Sequence, residues 1–165
     1  MKTKNIVTAS LFAALICIAT MIIKIPTPLG GYANLGDCFV LLAAWIMPPA
    51  YGVLAAGIGS ALADILSGFV SYAPATLIIK ILMALCAYYI FKICSPKTTP
   101  DISRIIGAIT AEIIMVGGYY IYEGALLYGF AASAVNIIPN SVQGIVGIVV
   151  AVILIKIFDK HKIIR

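Results

Sequence analysis

The sequence predicts an all-α polytopic membrane protein with six transmembrane helices and both termini in the cytoplasm. Three observations carry this. Of 165 residues, 63% are hydrophobic and only 10% are charged, against roughly 25% in a soluble domain, so the chain lacks the residues to coat a water-facing surface. Apolar runs approaching the ~20 residues needed to cross a bilayer recur along it, separated by proline, glycine and polar punctuation. The bases are also lopsided. With six spans, Lys2, Lys4, Lys92, Lys97, Arg104, Lys156, Lys160, Lys162 and Arg165 fall on the side of the termini, and only Lys24 and Lys80 fall elsewhere. That bias places the termini inside, and it accounts for a net charge of +5 without a nucleic-acid partner. Residues 1–165 read as one domain, with no linker, low-complexity tract or repeat.

The first helix is expected over 6–23. Its start resembles a signal peptide, but the apolar run of ~18 residues exceeds the ~7–15 of a signal core, so it reads as a retained span. Pro26, Pro28, Gly30 and Gly31 end it and open the loop "GGYANLGD". A second helix over 38–47 is short for a crossing; it either starts within the loop or lies tilted. Pro48 and Pro49 turn the chain into a third helix over 50–69. The fourth covers 74–93, with Pro74 tolerated in its first turn. After the polar "SPKTTPD" come a fifth helix over 102–122 and a sixth over 132–158, with a kink or break expected at Pro139.

Two small-residue rows mark the third helix: Gly52, Ala56, Ser60 and Ala55, Gly59, Ala63. Spacing of four puts each row on one face and lets helices approach closely in lipid. Asp64 continues the first row and should point into the bundle. Ala9 and Ala13, also four apart, serve either internal packing or a docking face; spacing alone leaves both open. Cys17, Cys38, Cys86 and Cys94 lie in or beside apolar runs without a C-x-x-C, and the one histidine is His161. They read as buried thiols, with no metal or cofactor expected. No phosphate-binding G-x-x-x-x-G-K-[ST] occurs and no nucleophile–base pair stands out, which excludes an ATPase site and argues against an enzyme.

Ionisable residues inside spans are functional candidates by default. Lys80 lies within the fourth helix, Asp64 near the outer end of the third, Glu112 near the midplane in the fifth and Glu123 at its outer end. Glu112, Tyr119 and Glu123 share a helix face, as do Asn136, Asn140 and Gln143 on the sixth helix. Tyr72, Tyr32, Asn34 and Asp37 join them from the outer loops. One reading is structural: an Asp64–Lys80 ion pair, amides linking helices, and tyrosines in an interfacial belt. The other is an outward-facing pocket, favoured by the outward skew of Tyr32, Tyr72, Tyr119, Tyr120, Tyr122 and Tyr128 and by two polar stripes at matching depth. Amides and carboxylates suit a ligand rich in hydrogen-bonding groups, and tyrosines suit a flat ring. The absence of arginine from spans and outer loops argues against phosphate. A small, roughly neutral heteroaromatic compound fits. The expected binding set is Asn34, Tyr72, Lys80, Glu112, Tyr119, Glu123, Asn136, Asn140 and Gln143, with Asp37 and Asp64 structural or at the rim.

The stretch from "GGYANLGD" through "GSALAD" to "YAPATLIIK", continued by "EIIMVGGYYIYEGALLYGFAASAVNIIPNSVQGIVG", resembles the S component of energy-coupling factor (ECF) vitamin importers. The closest resemblance is to the riboflavin-type branch, which includes hydroxymethylpyrimidine, pyridoxine and cobalamin members. The resemblance implies a multi-pass plasma-membrane protein of a prokaryote, binding a vitamin near the outer surface, with a hydroxymethylpyrimidine- or pyridoxine-like compound or riboflavin as the expected ligand. It also implies docking onto a membrane coupling subunit that carries two ATPases. In that family an Ala-x-x-x-Ala motif of helix 1 contacts the coupling subunit; Ala9 and Ala13 match it. The family's site, lined by loops 1 and 3 with helices 4 to 6, carries Asn34, Tyr72, Lys80, Glu112, Tyr119, Asn136, Asn140 and Gln143 here. Two other classes stay open: a stand-alone proton-coupled carrier with Glu112 as its proton site, and a ligand-free membrane scaffold.

Overall fold

The computed structural model describes residues 2–29 and 31–161, without the side chain of Lys2; Gly30 and the tail bases Lys162 and Arg165 invoked above lie outside them. In order the elements are α1 (Lys2–Ile22), strands β1 (Ile25–Pro26) and β2 (Tyr32–Ala33), α2 (Gly36–Ile46), α3 (Pro49–Leu66), α4 (Ala73–Cys94), α5 (Pro100–Tyr122), the short α6 (Phe130–Ser133) and α7 (Ile137–Lys160). A single π-helical turn, Glu123–Leu127, extends α5, and a 3₁₀ turn, Ala134–Asn136, joins α6 to α7. Five segments among the described residues are long and apolar enough to cross a membrane; α2 is not. Its 11 residues rise only ~16 Å.

The short helix is the axis of the bundle. α1, α3, α4 and α7 all pack on it, while α1, α3, α4, α5 and α7 pack on one another in that sequence. Eight of its eleven residues are buried, with Val40, Leu41 and Leu42 at or below 1% exposure. The outward faces of the long helices carry Val7, Leu11, Ile22, Ile113, Ile138 and Ile145, all more than half exposed. That apolar exterior is the surface a bilayer solvates.

Close approaches occur where the small residues lie. Gly52, Ala55, Ala56, Gly59, Ser60 and Ala63 of α3 are all buried. A Cβ on Gly59 would stand 2.5 Å from the carbonyl oxygen of Ala13, so α1 rests on α3 with backbone touching backbone. At the terminal end, Thr99 Oγ1 accepts from the Ile102 N–H at 3.3 Å and caps α5, with Pro100 in its first turn. Arg104–Asp159 at 2.7 Å and Lys156–Asp101 at 3.1 Å tie α5 to α7 there.

Two expectations change. Pro139 neither kinks nor breaks the last helix. It sits in the first turn of α7, where the missing N–H would have had no intrahelical partner. The break falls earlier, at Gly129 (φ 81°) and the 3₁₀ turn. The loop after α1 is also not irregular throughout: β1 and β2 form a two-rung antiparallel hairpin, Ile25 opposite Ala33 and Pro26 opposite Tyr32.

Candidate ligand-binding site

The bundle end remote from the termini is outside by the charge bias. The hairpin and the loop after α3 fold over it. Tyr32 and Phe69 pack ring to ring at 4.8 Å between centroids, Lys24 donates to Ser67 Oγ at 2.5 Å, and the Tyr32 hydroxyl donates to Asp64 Oδ1 at 2.7 Å. Tyr122 donates to the carbonyl of Ser71 and holds the start of α4 against α5.

Beneath these loops lies a cavity of about 40 Å³. Asn34, Tyr72, Tyr119, Glu123, Asn140 and Gln143 line it, as does Asp64. The residue types at matching depth in the outer loops, α5 and α7 thus converge. Thr27, Gly31, Tyr32, Phe69 and Thr76 complete the wall. Of these only Tyr32 carried a signal in the sequence, as one of the outward tyrosines. Thr76 faces inward because it lies one turn above Lys80 on α4, and its hydroxyl shares a hydrogen bond with Tyr119 at 2.9 Å.

Lys80, Glu112 and Asn136 are not part of this wall; they stand behind it. Lys80 pairs with Asp37, not with Asp64, and its ammonium lies 5.8 Å from the centre of the Tyr119 ring. The other Asp37 oxygen accepts from Gln143 Nε2 at 2.6 Å. Gln143 Oε1 in turn accepts from the Asn34 N–H at 2.8 Å. A chain of contacts therefore runs from α4 through α2 and α7 to the loop that closes the pocket, and it fixes which end of the Gln143 amide faces outward. Asn136 donates to both oxygens of Glu123 at 3.0 Å, and Tyr72 adds a third donor at 3.2 Å. The π-helical turn beginning at Glu123 places that carboxylate toward Tyr72; such turns are frequent at functional sites.

Glu112 is 6% exposed, and neither carboxyl oxygen has a protein partner. It occupies a niche made by two glycines of α7: a Cβ on Gly144 would lie 3.0 Å from Oε2, and one on Gly147 would lie 3.3 Å from Oε1. The same Gly147 position is 3.0 Å from the Asp37 Cβ, so the two acids are neighbours.

Burial pushes the Tyr32 phenol above its ordinary range, and the charge and hydrogen bond of Asp64 push it further. Burial likewise raises Tyr72, with Tyr128 and Glu123 adding to it. Both remain protonated donors at neutral pH. Among the described residues no three His, Cys, Asp or Glu side chains converge as a metal site. The arrangement is suited to holding a ring against aromatic faces and hydrogen-bonding its edge.

Comparison with known proteins bears on the family and the fold. A family model described as "ECF-type riboflavin transporter, S component" matches residues 1–160. A Pyrococcus woesei protein described as "Uncharacterized protein in gap 3'region" is 34% identical over 137 residues, covering 82% of this chain and 88% of that one. The fold superposes with a TM-score of 0.78, at 26% identity and 98% coverage of both chains, on a structure described as "Structure and mechanism of the S component of a bacterial ECF transporter". The chain belongs to the riboflavin-transporter S component family of ECF-type vitamin transporters.

Proposed function

We propose that the outer pocket binds one small heteroaromatic vitamin or vitamin precursor, and that the chain delivers it by docking on a membrane coupling subunit served by two ATPases. The observation that carries the reading is the convergence of four aromatic rings, Tyr32, Phe69, Tyr72 and Tyr119, with Asn34, Asn140 and Gln143 around one cavity. Stacking faces and amide edges together are what a flat, hydrogen-bonding ring requires. Docking through α1 is supported by its exposure. Only 11% of its span is buried, against 28–56% for the other long segments, so it offers the broadest free face. Ala9 and Ala13 flank that face and are themselves half-buried.

The test is mass spectrometry of the small molecule that co-purifies with the chain, followed by calorimetry with that compound on Asn140→Ala. Loss of at least tenfold in affinity is expected. Unchanged affinity in Asn140→Ala would remove the cavity as the site.

A second reading, a stand-alone proton-coupled carrier, draws on the two unpartnered oxygens of Glu112. Uptake by the isolated chain in proteoliposomes, driven by a pH gradient without ATP and lost in Glu112→Gln, would favour it.

A further inference from the structure

We propose that the outer pocket selects a ligand bearing a positive charge on or beside its aromatic ring, with Asp64 as the anionic anchor. This rests on reading that pocket as the ligand site, and it departs from the neutral compound expected from the sequence.

The first argument is the charge around the cavity. Asp64 and Glu123 line it, and among the described residues no lysine, arginine or histidine does. The one cation in the layer below, Lys80, is engaged by Asp37, and the pair is buried at 4% and 0% side-chain exposure. Lys24 lies over the Tyr32 ring, 5.3 Å from its centre, and donates to Ser67. Arg104 is held at the opposite end of the bundle by Asp159. The cavity wall therefore has two carboxylates and no cation in contact with them, Lys24 and Lys80 standing outside it. In a low-dielectric setting an uncompensated carboxylate is costly, and a cationic ligand supplies the missing charge.

The second argument separates the two acids. Glu123 is fully engaged, by Asn136 on both oxygens and by Tyr72. Asp64 is not. It is 6% exposed; Oδ1 accepts from Tyr32, while Oδ2 is buried without a donor. A buried acceptor lacking a donor loses more than a hydrogen bond contributes on average. Of the two acids, the one with an unmet oxygen is thus Asp64, in the wall of the cavity; Thr27 Oγ1 beside it is unpartnered too.

The third argument is the wall itself. Tyr32, Phe69, Tyr72 and Tyr119 surround the space, and aromatic faces attract cations through the ring quadrupole. Lys24 over Tyr32 and Lys80 near the Tyr119 ring show two of these rings already meeting ammonium groups. Phosphorylated or carboxylated forms of a ligand meet the reverse: two carboxylates and no basic side chain in the wall.

The closed pocket also indicates the exchange. Its volume of about 40 Å³ falls well short of the ~150 Å³ of a cavity that accepts benzene. One obstacle is Tyr32, held by a hydrogen bond to Asp64, a ring contact to Phe69 and the Lys24 ammonium over its face. When its hydroxyl leaves Asp64, both carboxylate oxygens lack a protein donor, and an ammonium, amidinium or ring N–H⁺ takes the place of the phenol. Tyr32 and the ligand compete for the same oxygen.

The test uses the purified full chain in nanodiscs, with two probe pairs measured by isothermal titration calorimetry. Pyridoxamine and pyridoxine differ by an aminomethyl against a hydroxymethyl group. Thiamine and riboflavin contrast a permanent cation with a neutral ring system. The expected result is at least tenfold tighter binding of the cationic member of a pair, with that preference reduced to about twofold in Asp64→Asn. Tyr32→Phe keeps the ring and removes the competitor, so it should tighten the cation several-fold more than it changes the neutral member. That arm stands even if Asp64→Asn fails to fold. Equal or tighter binding of pyridoxine or riboflavin, unaltered in Tyr32→Phe, overturns the charge selection and leaves the vitamin-binding reading intact. So does a neutral or anionic compound that co-purifies. Absence of binding by all four probes, with nothing co-purifying, overturns the vitamin-binding reading itself.

Discussion

Replacing Lys80 by methionine should destabilise the protein far more than it weakens ligand binding. Lys80 and Asp37 are 4% and 0% exposed at the side chain and form an ion pair. Removing one partner of a buried pair leaves the other charge uncompensated, at a cost of about 3–5 kcal/mol. The Coulomb energy points the same way: two charges in contact at ~3 Å attract by roughly 5 kcal/mol at an effective dielectric near 20. Asp37→Asn, which keeps an acceptor for Gln143, should cost about the same by stranding Lys80. The double variant removes both charges and should be far less damaged than the sum, with a coupling energy of about 3 kcal/mol. As control, Asp64→Asn combined with Lys80→Met should couple by about 1 kcal/mol or less, because the Asp64 carboxylate is held by Tyr32 and not by Lys80. The assay is reversible unfolding by SDS in mixed micelles, read by fluorescence of Trp45, the only tryptophan, which lies in α2 itself. Single variants costing under about 1 kcal/mol, or strict additivity in the Asp37–Lys80 cycle, would refute the pair as a buried structural unit. The lysine would then be returned to the ligand-binding set.

Other outcomes follow from the same geometry. Gly59→Val sets a side chain against the Ala13 backbone and should cost about 1–3 kcal/mol in the same unfolding assay; Gly117→Ala, with open space around the position, should be neutral or slightly stabilising. Tyr32 and Tyr72 should resist ionisation beyond the ordinary phenol range in a spectrophotometric titration at 295 nm. A raised native value means that their contribution to stability is complete below the ordinary phenol value of ~10 and is lost as pH climbs from there through the higher native value. Ionisation of both with the exposed phenols would show that the loops do not bury them. Ala9→Trp should leave ligand affinity within about twofold and abolish ATP-driven uptake in a reconstituted importer; undiminished uptake would remove the docking role. Ala13→Trp is the harsher variant, since the Ala13 backbone touches Gly59, and loss of folding is the expected additional effect.

The helix ends were legible because lipid-facing runs stop where proline, glycine or charge begins. α4 was expected over 74–93 and runs over Ala73–Cys94, bounded by Pro74 and the "SPKTTPD" loop. The hairpin was not legible: two-residue strands containing Pro26 leave no alternating pattern to read. Pro139 misled because a proline inside an apolar run looks the same in a helix interior as in a first turn, and only the position of the preceding break distinguishes them. Within the site, shared helix faces brought Tyr119 and Glu123 together with Asn140 and Gln143. Depth within the bundle was harder to infer. Lys80 looked like a ligand for the pocket or a partner for Asp64, sixteen positions before it in the chain. Its partner proved to be Asp37, which is carried to the same depth because α2 starts below the loops and runs down the axis. Phe69 and Thr76 escaped notice for want of charge or unusual spacing; only the fold of the loop after α3 brings them to the cavity.

The central position of α2 has a consequence for how the chain enters the membrane. Eleven residues are too few to be retained in a bilayer alone, and Pro48 links them directly to α3. Residues 36–66 are therefore expected to enter the bilayer as one unit, the apolar length of α3 carrying α2 with it. Asp37 lies in the first turn of α2, and a buried carboxylate without a partner opposes insertion. Its counter-charge, Lys80, emerges from the ribosome 43 residues later. Until α4 arrives, the nascent bundle holds an unmatched acid at its axis. Arrival of Lys80 supplies the missing charge.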